Sequence, residues 1–151
     1  MPANHPPASI RIRPFEITDH TAAIDLWQST EGIGLSASDS LPNITAYLKR
    51  NPGMSFVACR NGGVVGAVLC GTDGRRGYLH HLAVHPDFRN RGIGRQLVAH
   101  CLKALKEADL PKCHLFLFRS NRSGRVFWEK IGWSLRSDLD VVSITLSSAH
   151  P

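Results

Sequence analysis

Leu82-Ala83-Val84-His85-Pro86-Asp87-Phe88-Arg89-Asn90-Arg91-Gly92-Ile93-Gly94-Arg95 runs from an apolar, β-prone segment, through a proline stop and a basic turn, into a helical pattern. His85-Pro86 ends the strand, because proline cannot donate to a ladder and restricts the residue before it. From Gly92 to about Asp109 the apolar residues Ile93, Leu97, Val98, Cys101, Leu102 and Leu105 fall on one face of a helix, which Leu110-Pro111 closes. The first amides of a helix lack internal partners and carry about half a positive charge, so they can receive a phosphate. Arg89, Arg91 and Arg95 add positive field, and Gly92 and Gly94 remove Cβ atoms where the backbone must approach closely. A glycine-assisted helix start with solvated arginines is the plainer reading. The order of strand, turn, glycines and helix favours phosphate binding over it.

Upstream, Ile10-Arg11-Ile12-Arg13 alternates as a half-exposed strand, and Asp19 caps a helix reaching about Thr30 with Ile24 and Trp27 on one face. A loop spans Glu31 to Asp39, and Ser40 caps a short helix with Ile44, Tyr47 and Leu48 inward. Three strands follow as a meander, Ser55–Arg60, Val64–Cys70 and Tyr78–Val84. Downstream, the apolar run His114–Phe118 reads as a buried strand. Ser120 or Asn121 caps a helix ending at Gly132 with Val126, Phe127 and Ile131 toward the core. Trp133–Leu135 and Val141–Leu146 read as two closing strands. This order specifies an α/β layer fold.

The 151 residues fit one domain over 10–151 after a loose tail at 1–9, and 42 % hydrophobic content with 20 % charged residues excludes a disordered chain. No apolar run reaches membrane-spanning length, and the start carries no secretory pattern. The net charge of +6 favours anionic partners. Cys59, Cys70, Cys101 and Cys113 form no CxxC pair and sit among apolar residues, as expected of reduced, buried thiols in a cytoplasmic protein.

Neither GxGxxG nor GxxxxGK[ST] is present, so Rossmann and P-loop readings fail. Arg89-x-x-Gly92-x-Gly94 instead resembles the pyrophosphate loop of the GCN5-related N-acetyltransferases, the GNAT family. Leu82 to Asp87 looks like that family's fourth strand and its exit. Asn121 followed by Phe127-Trp128-Glu129-Lys130-Ile131-Gly132-Trp133 resembles its later signature, so the similarity covers roughly Ile10 to Leu146. The resemblance implies a mixed, twisted sheet of six to seven strands flanked by about four helices, with the fourth and fifth strands splayed around a bulge. It implies that acetyl-coenzyme A is the cosubstrate. Leu82, Ala83 and Val84 would pair with the pantetheine arm, and amides from Asn90 through Arg95, including Gly92, Ile93 and Gly94, would hold the pyrophosphate. Asn121 would contact the pantetheine, and Trp128 would border the sulfur.

The implied activity is transfer of acetyl to a primary amine of a small molecule or protein by direct attack in a ternary complex. An amine protonated near neutral pH must first lose a proton. Where some relatives place a glutamate base, this chain has His80 and Phe116. His80 suits the task by its ordinary pKa of about 6.5, and reads equally as a hydrogen-bonded strand histidine. His81, next along a regular strand, would face the opposite side of the sheet. Many relatives carry a tyrosine where this chain has Trp128; water, Tyr78 or departure as thiolate stands in for it. A metal site at His80, His81 and His85 is disfavoured by strand spacing. Glu31 and Asp39 read as solvated, with recognition of a cationic acceptor as the other reading. A non-catalytic acyl-coenzyme A sensor is the alternative function. Nucleic-acid binding is disfavoured, because the basic residues gather at the loop. No membrane partner is expected, and the terminal strand offers a route to a homodimer.

Overall fold

Residues 9–147 are described by the computed structural model, so the tail expected over 1–9 lies, apart from Ser9, outside the described residues. The elements follow in the order β1 (Arg11–Pro14), α1 (His20–Gln28), α2 (Leu41–Arg50), β2 (Phe56–Arg60), β3 (Gly63–Thr72), β4 (Gly77–Val84), α3 (Ile93–Glu107), β5 (Cys113–Leu115) and α4 (Arg122–Lys130). The strands form one mixed sheet in the order β1-β2-β3-β4-β5. Neighbours from β1 to β4 are antiparallel, and β5 lies parallel to β4.

Period-two alternation along the central strands divides the core between the two faces of the sheet. Val68 and Cys70 of β3, with Phe56, Ala58 and Leu79, pack against Ile93, Leu97, Val98, Cys101 and Leu105 of α3. Ala67 and Leu69, with Val57, Cys59 and Ala83, pack against Ala23, Leu26 and Trp27 of α1 and Ile44 of α2. Each such side chain removed from water contributes about 1.5–3 kcal/mol before conformational entropy is set against it. Two covered faces leave the sheet edges and the ends of its strands as the places where a site can open.

Most expected elements appear within a residue or two, including the Ser40 cap, whose side chain accepts from Asn43 N at 3.3 Å. Asp19 does something else. It makes no side-chain cap to α1 and accepts a two-pronged pair from Arg13, at 2.7 and 2.8 Å, which pins β1 to the helix entry. Burial pushes the Asp19 pKa up, yet hydrogen bonds from Arg13 and from the Glu16 amide outweigh it and leave the net shift downward.

The C-terminal third departs from expectation. The sheet has five strands among the described residues instead of six or seven, because Trp133–Leu135 and Val141–Leu146 pair with no strand there. The expected buried strand His114–Phe118 shortens to β5, and both Phe116 and Phe118 are exposed. Val126 of α4 also faces solvent, while Phe127 and Ile131 are partly buried. These departures share one physical cause. An apolar run is buried only where another layer covers it, and among the described residues the outer side of β5 has none.

Candidate active site

The pairing of β4 with β5 ends at Leu79 opposite Leu115, and from His80 onward the two strands part. On its other side β4 stays paired with β3, through Leu69↔His80, Ala67↔Ala83 and Gly66↔Val84. Between the first two of those pairs β3 advances two residues and β4 three, so β4 carries a bulge. His81 sits in the bulge with φ +57°, a left-handed backbone unusual for a residue other than glycine. A cleft of about 430 Å³ fills the gap, lined by residues of β4 and β5, by Gly32 to Gly34, and by Asn121, Trp128 and Val141.

The bulge cancels the alternation expected of neighbouring residues, and both histidines line the cleft on the α1/α2 face of the sheet. Their rings lie 6.4 Å apart. His80 packs against Tyr47 of α2 and Phe116, at 6.4 and 6.2 Å between ring centroids. Burial, then the neighbouring His81, lowers the His80 pKa from its ordinary value, so its imidazole is held neutral. His81 packs against Trp27 at 5.1 Å, and its Nε2 lies 2.9 Å from Asp39 Oδ1.

Asp39 is therefore not a solvated loop residue; it is only 7 % exposed. Its other oxygen accepts from Ser36 N at 3.0 Å in a capping box of a short 3-10 turn. Ser36-x-x-Asp39 was a readable signal for that local role. Its pairing with His81, 42 positions away, had none. Glu31 is exposed, as expected.

Beyond the cleft, β4 delivers the chain to the head of α3. Arg89 folds back, its Nε donating to Val84 O at 2.9 Å, which ties the turn to the strand end. Arg91 stacks over Phe88 at 5.4 Å. Asn90 and Gly92 are both left-handed, at φ +62° and +79°. Gln96 N donates to Gly92 O at 3.0 Å, and among the described residues no acceptor meets the amides from Asn90 through Arg95. The two glycines have different reasons. A Cβ at Gly92 would meet nothing within 4 Å, so glycine is there for its backbone angle. A Cβ at Gly94 would lie 3.3 Å from the ring of Phe127, so glycine there lets α4 pack against the head of α3.

Asn121 caps α4, its Oδ1 accepting from Gly124 N at 2.9 Å, and its amide group lies against Gly32. Trp128 packs between Phe127 and Trp133, at 5.1 and 4.9 Å. Tyr78 turns its ring to His114 and Phe116 and is not among the residues lining the cleft. Among the described residues no group of three or more histidines, cysteines or acids gathers to hold a metal ion. Hydrogen bonding to Cys70 and then burial raise the Cys101 pKa, and burial pushes Cys113 up to about 12, as befits packing thiols.

The Acetyltransferase (GNAT) family matches residues 20–133, about three quarters of the chain. The chain belongs to the GNAT family. An acetyltransferase of Pectobacterium atrosepticum is 36 % identical over 122 residues, covering 81 % of this chain and 86 % of the relative. Among solved structures, the PaiA N-acetyltransferase of Thermoplasma acidophilum in complex with coenzyme A superposes with TM-score 0.75 at 21 % identity, over 87 % of this chain and 93 % of that one. An aminoglycoside acetyltransferase from an uncultured soil metagenomic sample, in complex with sisomicin, superposes with TM-score 0.73 at 15 % identity, over 91 % and 97 %. Family and relatives together make this GNAT chain an acetyltransferase.

Proposed function

We propose that this GNAT acetyltransferase moves an acetyl group from acetyl-coenzyme A to a primary amine of a small molecule or protein, by direct attack in a ternary complex. One observation carries the reading: the open edge of β4, from His80 to Val84, leads through the short turn Pro86–Phe88 to six amides, Asn90 to Arg95, that lack acceptors among the described residues. The residues fit the cosubstrate. A diphosphate satisfies amides that a protein otherwise pairs, and an extended pantetheine chain satisfies a strand edge. The coenzyme A bound to one GNAT neighbour supports the cosubstrate, and the sisomicin bound to another, an aminoglycoside acetyltransferase, supports an amine acceptor.

Acyl transfer asks three things of the chain. An amide on the free edge of β4 faces the thioester oxygen and stabilises the charge that grows there, a contribution of about 3 kcal/mol for one fixed donor. His80 takes a proton from the attacking amine, its imidazole neutral because burial keeps it so. The sulfur leaves as thiolate beside Trp128, whose indole yields no proton. A second reading gives the proton to His81. It is favoured by the Asp39 carboxylate, which fixes the ring through Nε2 and leaves Nδ1 without a partner among the described residues. The buried thiols fit a cytoplasmic setting.

Release of coenzyme A thiol from acetyl-coenzyme A, measured with a panel of amino acids, polyamines, aminoglycosides and peptide N-termini, tests the proposal. Turnover with at least one class is expected. Tight cofactor binding with no turnover on any class would point to a sensor instead.

A further inference from the structure

The gap between β4 and β5 gives the cleft two sides, one on each face of the sheet. Leu79, Leu115 and Trp128 line it from the core shared with α3. Ile33 lines it from the core shared with α1 and α2, where His80 and His81 meet Tyr47 and Trp27. In the proposed reaction the sulfur leaves beside Trp128, and both candidate proton acceptors stand on the other side. The attacking amine must therefore enter on the α1/α2 side, within reach of a histidine. Its chemistry is set by what lines that side.

The lining there is aromatic and apolar. The Phe116 ring centroid lies 6.2 Å from that of His80 and 6.5 Å from that of Tyr78. Phe118 lies against the loop before α2, close enough that a Cβ at Gly34 would come 3.3 Å from its ring. Ile33 stands between Gly32 and Gly34 in the same loop. Rings at these separations accept another ring edge-on or offset. Among the described residues no aspartate, glutamate, lysine or arginine lines the cleft. The Asp39 carboxylate, beyond His81, is already occupied by His81 Nε2 at 2.9 Å and Ser36 N at 3.0 Å. A second ammonium group on the acceptor would lose water here and gain no carboxylate. An uncharged ring would instead bury against Ile33, Phe116 and Phe118.

We infer that the acceptor is an arylalkylamine, a primary amine joined by a short alkyl link to an uncharged aromatic body, and that Ile33, Phe116 and Phe118 set this preference. The inference rests on the acetyl-transfer reading and names the substrate class for the same site. The amine nitrogen stands at the histidines while the ring reaches Phe116 and Phe118. Nitrogen bonds to the acetyl carbon and the carbon–sulfur bond breaks. The electron pair stays on the coenzyme A thiolate, and the proton of the amine passes to histidine.

Thiol release from acetyl-coenzyme A is measured with n-propylamine, n-pentylamine, 2-phenylethylamine, putrescine and a peptide N-terminus. For the full chain kcat/KM is expected to rise about fourfold per methylene buried, and 2-phenylethylamine is expected to exceed n-propylamine at least thirtyfold. Putrescine has the shape of n-pentylamine with a second charge in place of the methyl group, and is expected to be at least tenfold poorer. Phe118→Ala, at an exposed position, is expected to narrow the ratio of 2-phenylethylamine to n-propylamine at least fivefold. A flat series overturns the inference and leaves acetyl transfer standing, as does a preference for putrescine or the peptide. An equal loss on both amines in folded Phe118→Ala also overturns it, because a merely structural role lowers both alike. Coenzyme A binding without turnover on any amine removes the acetyl-transfer reading and this inference with it. If Phe118→Ala fails to fold, the wild-type series decides alone.

Discussion

Substituting Gly92 in two ways separates backbone strain from charge at the head of α3. Gly92 has φ +79° and nothing within 4 Å of where a Cβ would stand. Gly92→Ala therefore meets no clash and incurs only the left-handed backbone cost, about 1–2 kcal/mol. For a chain of this size that is a fall in Tm of several degrees, roughly 2–4 °C per kcal/mol. The unpaired amides keep their aim, and coenzyme A affinity is expected to stay within about threefold. Gly92→Glu adds a carboxylate beside the amides proposed to hold the diphosphate, and like charges about 5 Å apart, at an effective dielectric between that of water and a protein surface, cost about 1–3 kcal/mol per pair. A Kd weakened by about 10- to 100-fold or more is expected, and the loss shrinks as salt is raised. Isothermal titration with coenzyme A gives affinity, and a thermal melt gives stability. A folded Gly92→Glu protein that binds coenzyme A as the wild type does would refute the assignment of the diphosphate to these amides. Equal losses in both variants would show that backbone conformation, rather than charge, governs the loop.

Two further predictions concern the histidines. Because burial depresses the His80 pKa, the native state resists a proton that the unfolded chain accepts. Its neutral form stabilises the fold fully above about pH 6.5, and stability is lost as pH falls through the depressed native value. His80→Gln is expected to flatten that part of the stability–pH curve, measured by denaturant melts, and to lower kcat about 10²- to 10⁴-fold if His80 is the proton acceptor. An unchanged plateau rate would assign it to packing alone. Asp39→Asn removes the charge that orients His81 and is expected to destabilise the chain by about 1–3 kcal/mol, since buried polar partners lose their match. Melting curves check the stability, and coenzyme A titration is expected to show no change, because the hydrogen bonds of Asp39 run to His20, Ser36 and His81 and none reaches Asn90 to Arg95.

What the sequence disclosed was what local rules encode. The α3 periodicity, the Ser40 and Asn121 caps and the glycine-containing loop each depend on neighbours a few residues apart, and all appear in the structure. The cleft's location followed from resemblance, and the open edge after Leu79 agrees with it. The His81–Asp39 pair was invisible because it joins a strand bulge to a loop, and no periodicity records a single extra residue. The same omission placed His80 and His81 on opposite faces. Phe116, Phe118 and the segment from Val141 were misjudged for the opposite reason: their pattern is genuinely strand-like, but composition does not say what covers a strand.

The surplus residue in β4 also sets the phase of everything after it. With a repeat of two, removing the extra position at His80 or His81 would turn Leu82, Ala83 and Val84 to the contrary side and let the two diverging strands zip together. The head of α3 would then meet the diphosphate proposed for it out of frame. Spacing along this stretch is thus as binding as residue identity, and a variant that preserved every motif but lost one residue here would be expected to fold around a closed sheet.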